Sequence, residues 1–218
     1  YIGDAIVSFF GAPMDVPDHA FRACASAVRM KQMEQKLNQQ LVADGTLPMP
    51  ILTRIGINTG KMVIGNMGTD KKMNYTMMGN NVNIAARLEG VNKAYSSWVL
   101  VSESTWTEAN SGEHQGKLLA RRLDKVRVMG IEKPVQLYNI MGFVSEMTEE
   151  EKESVEVFHH ALDLYLQRNF QQALDLFKKA GQLNQQDKTP DVFVERCQKF
   201  IKTPPASDWS GVMTMSTK

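Results

Sequence analysis

The sequence lacks the features that would place it among membrane or nucleic-acid-binding proteins. Its 218 residues carry 25 Lys and Arg against 24 Asp and Glu, so no overall positive charge favours nucleic acid or an anionic membrane surface. No run of residues approaches the roughly eighteen apolar positions that a membrane-spanning helix needs. No basic-then-apolar export signal opens the chain. We therefore expect no nucleic-acid partner.

Cysteine is scarce, and familiar metal and phosphate motifs are missing. Cys24 and Cys197 lie far apart, which suits buried free thiols in a reducing compartment better than a disulfide. None of the histidines has the spacing of zinc ligands, because His159 and His160 are consecutive on a predicted helix and point in different directions. The glycines at 60–65 do not form a P-loop, since no Gly-Lys-Ser/Thr ends them.

The first half of the chain alternates between strand and helix patterns, which is typical of a layered α/β domain. We predict strands at 5–10, 51–58, 98–101, 118–128 and 135–140, helices at 19–41 and 80–95, and a hairpin with arms at 61–65 and 73–78. Ser102 has the pattern of a helix cap, and the polar region that follows, up to Gly116, is predicted to be loose.

A composition change near Ser145 separates a predicted domain at 1–145 from a helical segment at 149–203 and an extended tail at 204–218. The helical segment resembles a tetratricopeptide unit, with a turn at Asn169 and a third helix from about 191 to 201. Because one and a half repeats cannot bury a solenoid core, we expect these helices to pack on the first domain or on a partner protein. Trp209 is predicted to be a docking anchor.

Residues 74–89 read as a strand, a glycine turn and a helix that carries Asn83 and Arg87. At a spacing of four residues the two side chains share one helix face. Gly90 and Ala94 follow on that face and are too small to fill the space in front of them. An arginine above open space, beside a small amide, is well placed to meet a phosphate and a sugar hydroxyl.

Each of these residues also has an ordinary structural explanation. Arg87 could be a surface arginine paired with Glu89 or Asp70, and Asn83 could belong to the polar start of its helix. Thr76 is a good strand former, and Asp4 could be a turn residue after glycine. The spacing of Asn83 and Arg87 favours the functional interpretation of both.

Two segments, 1–5 and 75–89, resemble the class III nucleotidyl cyclase catalytic domain. In that family K-Y-I-G-D-A is followed by Y-T-x-x-G-x-x-V-N-x-A-A-R-L-E, and this chain has the second motif about seventy residues after the first. Further matching segments occur in the family's order at 11–13, 18–20, 54–60 and 65–68. The resemblance covers roughly residues 1–142. It implies an α+β sandwich with a ferredoxin-like core and a mostly antiparallel sheet, followed here by a small all-α helical hairpin.

The resemblance also implies a reaction, the conversion of ATP to 3′,5′-cyclic AMP and pyrophosphate. Two divalent cations, Mg²⁺ or Mn²⁺, would assist it, with Asp4 as one of two metal-binding carboxylates. Arg87 matches the arginine that stabilises charge on the α-phosphate, and Asn83 matches the residue that holds the ribose. Thr76 occupies the base-reading position, where a hydroxyl fits adenine but excludes guanine only weakly.

Class III cyclases are dimers whose sites are shared, so the resemblance predicts a homodimer with two sites. The family's base-reading lysine and its other metal-binding aspartate precede the position of Tyr1, and we expect the chain to be an inactive fragment of a longer protein. The catalytic part is expected to be cytoplasmic, with any membrane anchor upstream. Relatives often have a lysine where Met129 stands, and Lys133 is a candidate substitute.

Three hypotheses remain open from the sequence. The chain is an adenylate cyclase domain, a guanylate cyclase on the same fold, or an inactive cyclase-like module whose helical tail recruits a partner. Turnover of ATP against GTP separates the first two. The joint presence of Asp4, Asn83 and Arg87 favours an enzyme over the inactive module.

Overall fold

The computed structural model describes residues 5–69, 71–127 and 134–214. The helices are α1 (His19–Ala43), α2 (Asn80–Tyr95), α3 (Glu103–Ala109), α4 (Glu149–Leu166), α5 (Phe170–Leu183) and α6 (Thr189–Lys202). The strands are β1 (Ile55–Ile57), β2 (Val63–Thr69), β3 (Lys72–Met78), β4 (Val99–Ser102), β5 (Leu118–Arg127), β6 (Val135–Phe143) and β7 (Met213–Thr214). Within these ranges no helix combines the length and apolarity needed to cross a bilayer.

Five strands form one mixed sheet in the order β1-β4-β6-β5-β7, and β2 and β3 form a separate antiparallel hairpin. The long pairing of β5 with β6 and the pairing of β4 with β6 are antiparallel. The short edge strands β1 and β7 pair in parallel with β4 and β5. The α/β layered fold predicted from the sequence is confirmed.

Alternate residues of the buried strand β4 point to opposite faces of the sheet, as a strand requires. Val99 and Val101 join a cluster with the buried side of α1, including Cys24. Leu100 joins a second cluster with α2 and the C-terminal helices. The sheet is therefore covered on both faces. Cys24 and Cys197 are both buried and free, as the sequence predicted.

The three C-terminal helices, called here the helical layer (α4, α5 and α6), share a core with the sheet. Phe158, Phe177 and Phe193 belong to the same buried cluster as Leu123 of β5 and Leu137 of β6. The expectation that these helices pack on the first domain is thereby confirmed. The boundary near Ser145 and the tetratricopeptide resemblance stay predictions.

The extended tail folds back onto the helical layer through Trp209. Its ring lies 5.3 Å from that of Tyr165, 5.8 Å from that of Phe170 and 5.4 Å from that of Phe200, measured between ring centroids. Arg168 donates hydrogen bonds to the backbone of the same segment, including the carbonyl of Ser207 at 2.9 Å. Trp209 is thus an anchor, as predicted, and its partner is the chain itself.

The prediction of a strand at residues 5–10 is wrong. Only Ala5 forms a β-bridge, and the residues after it have no regular structure. Ile6 and Val7 are 73% and 43% exposed, because no neighbouring strand among the described residues runs along this segment. An apolar run cannot form a stable strand without a pairing partner.

Two other local predictions also need correction. The region from Ser102 to Gly116 is not loose, because it contains α3, whose Thr105 and Ala109 are buried. Ser102 caps this helix as predicted, with its hydroxyl accepting from the Thr105 amide. The strand predicted at 51–58 is reduced to β1. The first hairpin arm, β2, begins two residues later and ends four residues later than predicted, and β3 begins one residue earlier.

Candidate functional site

The candidate site lies at the start of α2, and a glycine turn sets the direction of that helix. Gly79 joins β3 to α2 with a φ of 147°, a conformation that side chains other than glycine rarely adopt. Asn58 donates from its side-chain amide to the backbone and side-chain oxygens of Asn81, both at 3.1 Å. Asn81 donates to the carbonyl of Lys61 at 2.9 Å. These bonds tie the first turn of α2 to the loop after β1.

Close packing on β1 fixes the middle of α2. A Cβ at Gly56 would lie 2.2 Å from the carbonyl oxygen of Ala85, so only glycine allows this approach. Near the end of the helix, the buried Asn92 amide donates to the carbonyl of Ile55 at 3.0 Å. Ser97 in turn donates to the Asn92 side chain at 2.9 Å. The helix is therefore held against the sheet along its length.

Asn83 and Arg87 lie on the outer face of this helix, as predicted. Asn83 is exposed, and Arg87 is half-buried. The Nη1 atom of Arg87 is shielded from solvent, and no described residue accepts a hydrogen bond from it. Nothing lies within 4 Å of where a Cβ at Gly90 would be, so the space in front of this face is open.

The sequence left open that Arg87 is a surface arginine paired with Glu89. No ion pair between these two residues is present among the described residues. Asp70, the other suggested partner, lies outside the described residues. A buried guanidinium nitrogen without an acceptor is costly for a folded protein. A bound anion is the kind of group that would satisfy it.

Thr76 is on β3, the strand that leads into α2, and pairs with Gly65 of β2. Its side chain is half-buried, and the space around Gly65 is open. The hairpin and the first turns of α2 thus carry Thr76, Asn83 and Arg87 on consecutive elements. Asp4, Met129 and Lys133 lie outside the described residues.

Two surface cavities of about 540 and 460 Å³ lie beside α1, and Phe10 and Phe143 also line the first of them. Neither is lined by Thr76, Asn83 or Arg87. On a single chain the candidate site is open around Gly90 and Gly65.

The described residues do not by themselves form a metal centre. Within 5–69, 71–127 and 134–214, no three His, Cys, Asp or Glu side chains come together in a way that could hold an ion. The only predicted ligand, Asp4, is outside those ranges.

Residues 1–142 match the family described as the adenylate and guanylate cyclase catalytic domain. The chain belongs to this family. Members of the family generally use divalent metals, act on ATP or GTP and are usually dimers. The match ends before the helical layer begins.

Among curated relatives, the terminal-differentiation-specific adenylate cyclase of Dictyostelium discoideum is 29% identical over 208 residues, covering 93% of this chain and 9% of that protein. Adenylate cyclase 1 of Rhizobium meliloti (strain 1021) is 32% identical over 142 residues, covering 65% of this chain and 20% of that protein. The chain thus spans a fifth or less of the length of these two relatives. The similarity to the Dictyostelium protein reaches into the helical layer.

Among solved structures, the adenylyl cyclase CyaB from P. aeruginosa is similar with a TM-score of 0.54 and 30% identity, over 64% of this chain and 68% of that one. The guanylyl cyclase Cya2 is similar with a TM-score of 0.50 and 29% identity, over 64% of this chain and 66% of that one. The two similarities are nearly equal, so they do not distinguish adenine from guanine as the base.

Sequence reasoning missed the residues that hold α2 in place. Asn92 is a polar residue on the otherwise apolar inner face of the helix, beside Leu88 and Tyr95. That interruption of the apolar pattern was the available signal for it. The contacts of Gly56 and Asn81 could not be predicted, because their partners lie on other elements.

Proposed function

We propose that this chain is the catalytic domain of an adenylate cyclase, which converts ATP to 3′,5′-cyclic AMP and pyrophosphate. The ribose 3′-oxygen forms a bond to the α-phosphorus, and the bond from that phosphorus to the oxygen bridging to the β-phosphate breaks. The proton of the 3′-hydroxyl ends on the departing pyrophosphate or on water. No covalent bond to the protein forms, so the enzyme acts by holding the nucleotide and stabilising charge.

The observation that carries the proposal is the shielded Nη1 of Arg87, which no described residue accepts a hydrogen bond from, on the helix face that is open at Gly90. Such a nitrogen can donate to an anion without giving up an acceptor among the described residues. As the pentacoordinate α-phosphate forms, negative charge grows on its oxygens. Arg87 would donate to these oxygens more strongly in the transition state than in the bound substrate.

Asn83 and Thr76 take the remaining roles in this proposal. Asn83 is one helical turn before Arg87 on the same exposed face, where its amide can hold the ribose while Arg87 meets the phosphate. Thr76 precedes both on β3, and its hydroxyl can donate to or accept from the adenine edge. The family's divalent cations, for which Asp4 is the proposed ligand, would supply charge neutralisation on the phosphates.

We further propose that the active form is a homodimer with shared sites. The open space at Gly90, on the helix face of Arg87, supports this, because a nucleotide held on one chain alone would stay in contact with water. A second copy would cover that face and bring the metal-binding carboxylates to it. Enclosure by the partner would strengthen each charged contact with the nucleotide.

The test is cyclic nucleotide production from ATP and from GTP with Mn²⁺, by the full-length protein and its Arg87→Ala variant. We expect cyclic AMP from the wild type and a fall of about 10²–10³-fold in kcat, roughly 3–4 kcal/mol, in the variant. Lys93→Ala is the matched control, because it removes an exposed cation from the same helix. Its kcat should stay close to that of the wild type.

The same assay distinguishes the alternatives. Faster turnover of GTP than of ATP would replace adenylate with guanylate cyclase activity, a choice that the similarity to Cya2 keeps open. A folded, dimeric wild type that makes neither product would contradict an enzymatic role. The inactive binding module would then be the better explanation, and a partner of the helical layer the next question.

A further inference from the structure

The inner face of α2 rests on the helical layer as well as on the sheet. Ile84, Leu88 and Tyr95 of α2 belong to one buried cluster with Phe193 and Cys197 of α6. The ring centroids of Tyr95 and Phe193 are 6.2 Å apart. The helix that presents Asn83 and Arg87 outward is thus supported from behind by residues that lie beyond the family match.

A buried polar network joins the end of α2 to that support. The Tyr95 hydroxyl donates to Oδ2 of Asp124 on β5 at 2.8 Å, and Nη1 of Arg196 on α6 donates to the same oxygen. The Arg196 guanidinium also lies 5.1 Å from the centroid of the Tyr95 ring. Tyr95 is 0% and Asp124 is 1% exposed. Three elements therefore meet at one carboxylate oxygen.

The buried Asp124 carboxylate has few hydrogen-bond donors, so each donor in the network matters. The other carboxylate oxygen of Asp124 has no hydrogen-bond partner within the described part of the chain. Burial raises the pKa of Asp124, and the charge of Arg196 offsets part of that effect. Loss of Arg196 would leave a buried carboxylate with Tyr95 as its remaining donor, which favours rearrangement at this junction.

We propose that Tyr95, Asp124 and Arg196 are positioning residues for the candidate site, through which α6 sets the placement of α2 and so of Asn83 and Arg87. The helical layer then contributes to catalysis by positioning α2. Packed interiors transmit small shifts along a helix, and a displacement of about 1 Å at reacting groups can lower a rate on the order of 10²-fold. This inference rests on the proposed function for its kinetic consequence only.

A second buried ion pair supplies a matched control. Arg121 of β5, which is fully buried, donates to Asp187 in the connection between α5 and α6, with one of the two bonds at 3.2 Å. Arg121 also donates to Asn139 of β6 at 2.8 Å. The pair joins the sheet to the helical layer, as the Asp124–Arg196 pair does. None of its described contacts is with α2.

The experiment compares Arg196→Met, Tyr95→Phe and Asp187→Asn in the full-length protein. Hydrogen exchange of the α2 amides and the kcat and KM for ATP are measured under conditions where each variant is folded. We expect Arg196→Met to speed exchange within residues 80–95 by at least about tenfold. It should also lower kcat by about tenfold or more while KM changes less.

Tyr95→Phe keeps the ring and removes only the hydroxyl, so it tests the network even if Arg196→Met does not fold. It should change exchange and kcat in the same direction but less. Asp187→Asn leaves Arg121 without its charge partner, and should reduce global stability while leaving α2 exchange and kcat near wild type. This contrast separates positioning from a general loss of stability.

Two outcomes would overturn the inference. One is wild-type α2 exchange and wild-type kcat in folded Arg196→Met and Tyr95→Phe. The other is an equal effect on α2 from Asp187→Asn. If the wild type makes no cyclic nucleotide, the proposed function fails, and the exchange measurement still decides whether α6 controls α2.

Discussion

At the scale of single residues, His159 is held neutral at the junction of α4 and β5. The amide of Arg122 donates to its Nε2 at 2.9 Å, so this nitrogen must stay unprotonated for the bond to form. Burial, followed by the charges of Arg122 and Arg121, lowers the pKa of His159 to about 4, and Asp163 opposes this shift only in part.

The sign of the resulting pH dependence follows from where the proton binds. Between the ordinary pKa of histidine, 6.5, and about 4, the unfolded chain takes up a proton at His159 and the folded chain does not. The stabilising contribution is therefore complete above pH 6.5 and is lost as the pH falls toward 4. We expect a loss of about 2 kcal/mol from this residue, after allowing for its partial exposure.

Denaturant unfolding at several pH values between 7.5 and 4 tests this prediction. His159→Gln should flatten the fall in unfolding free energy across that range by the stated amount. His160→Gln is the matched control, because the neighbouring His160 is exposed on the same helix. Equal slopes in the wild type and His159→Gln would contradict the assignment.

The arginines show how far residue-level prediction from sequence reaches. Arg87, Arg121 and Arg196 are all partly or fully buried, yet only the last two are held by carboxylates in the described structure. The family motif marked Arg87 as functional. No local pattern marked Arg121 or Arg196 as members of buried ion pairs, because their partners, Asp187 and Asp124, are 66 and 72 residues away.

At the scale of secondary-structure elements, the contact of β1 with α2 determines where the candidate site lies. A Cβ at Gly56 would come within 2.3 Å of the Glu89 amide nitrogen as well as 2.2 Å from the Ala85 oxygen. Both are backbone atoms of α2 and cannot move without shifting the helix. We expect Gly56→Ala to lower the free energy of unfolding by about 3 kcal/mol, at the upper end of the usual cost of overpacking.

Gly90→Ala is the control for this prediction, measured by the same denaturant unfolding. Gly90 is on the exposed face of α2 and its added Cβ would meet no atom within 4 Å. Alanine favours a helix interior over glycine, so this variant should gain roughly 0.5–1 kcal/mol. Similar destabilisation by both substitutions would mean that the close contact at Gly56 is not what limits stability.

Elements with strong local patterns were predicted well, whereas the run at 5–10, which would need a neighbouring strand, was not. The helices α1 and α2 carry their own apolar periodicity, and their predicted bounds agree with the structure to within two residues. The apolar run at 5–10 had the composition of a strand but has no strand to pair with in the described structure. Helix α3 was missed because its surface is polar and few of its residues are buried.

At the scale of the whole molecule, the shared-site proposal predicts complementation between two inactive chains. An Asp4→Asn chain and an Arg87→Ala chain form a heterodimer in which one site keeps both groups. With random 1:1 mixing, half of the dimers have one intact site of two, so we expect about a quarter of wild-type cyclase activity. Each variant alone should be inactive or nearly so.

The control mixture combines Arg87→Ala with a chain that carries both substitutions, because no pairing of these chains restores a site. Dimerisation of every mixture is checked by sedimentation. If the Asp4→Asn and Arg87→Ala chains dimerise and their mixture remains inactive, then the sites are not shared between subunits in this way.

The sequence by itself determined the family and the order of the main helices and strands, and it predicted Thr76, Asn83 and Arg87 as site residues. These depend on short motifs and on periodicity, both of which are local along the chain. Only the tertiary structure decided that the helical layer shares the core behind α2, and that Arg87 has no acceptor within the described ranges. Such outcomes depend on contacts between distant residues, whose geometry is set when the sheet and helices pack together.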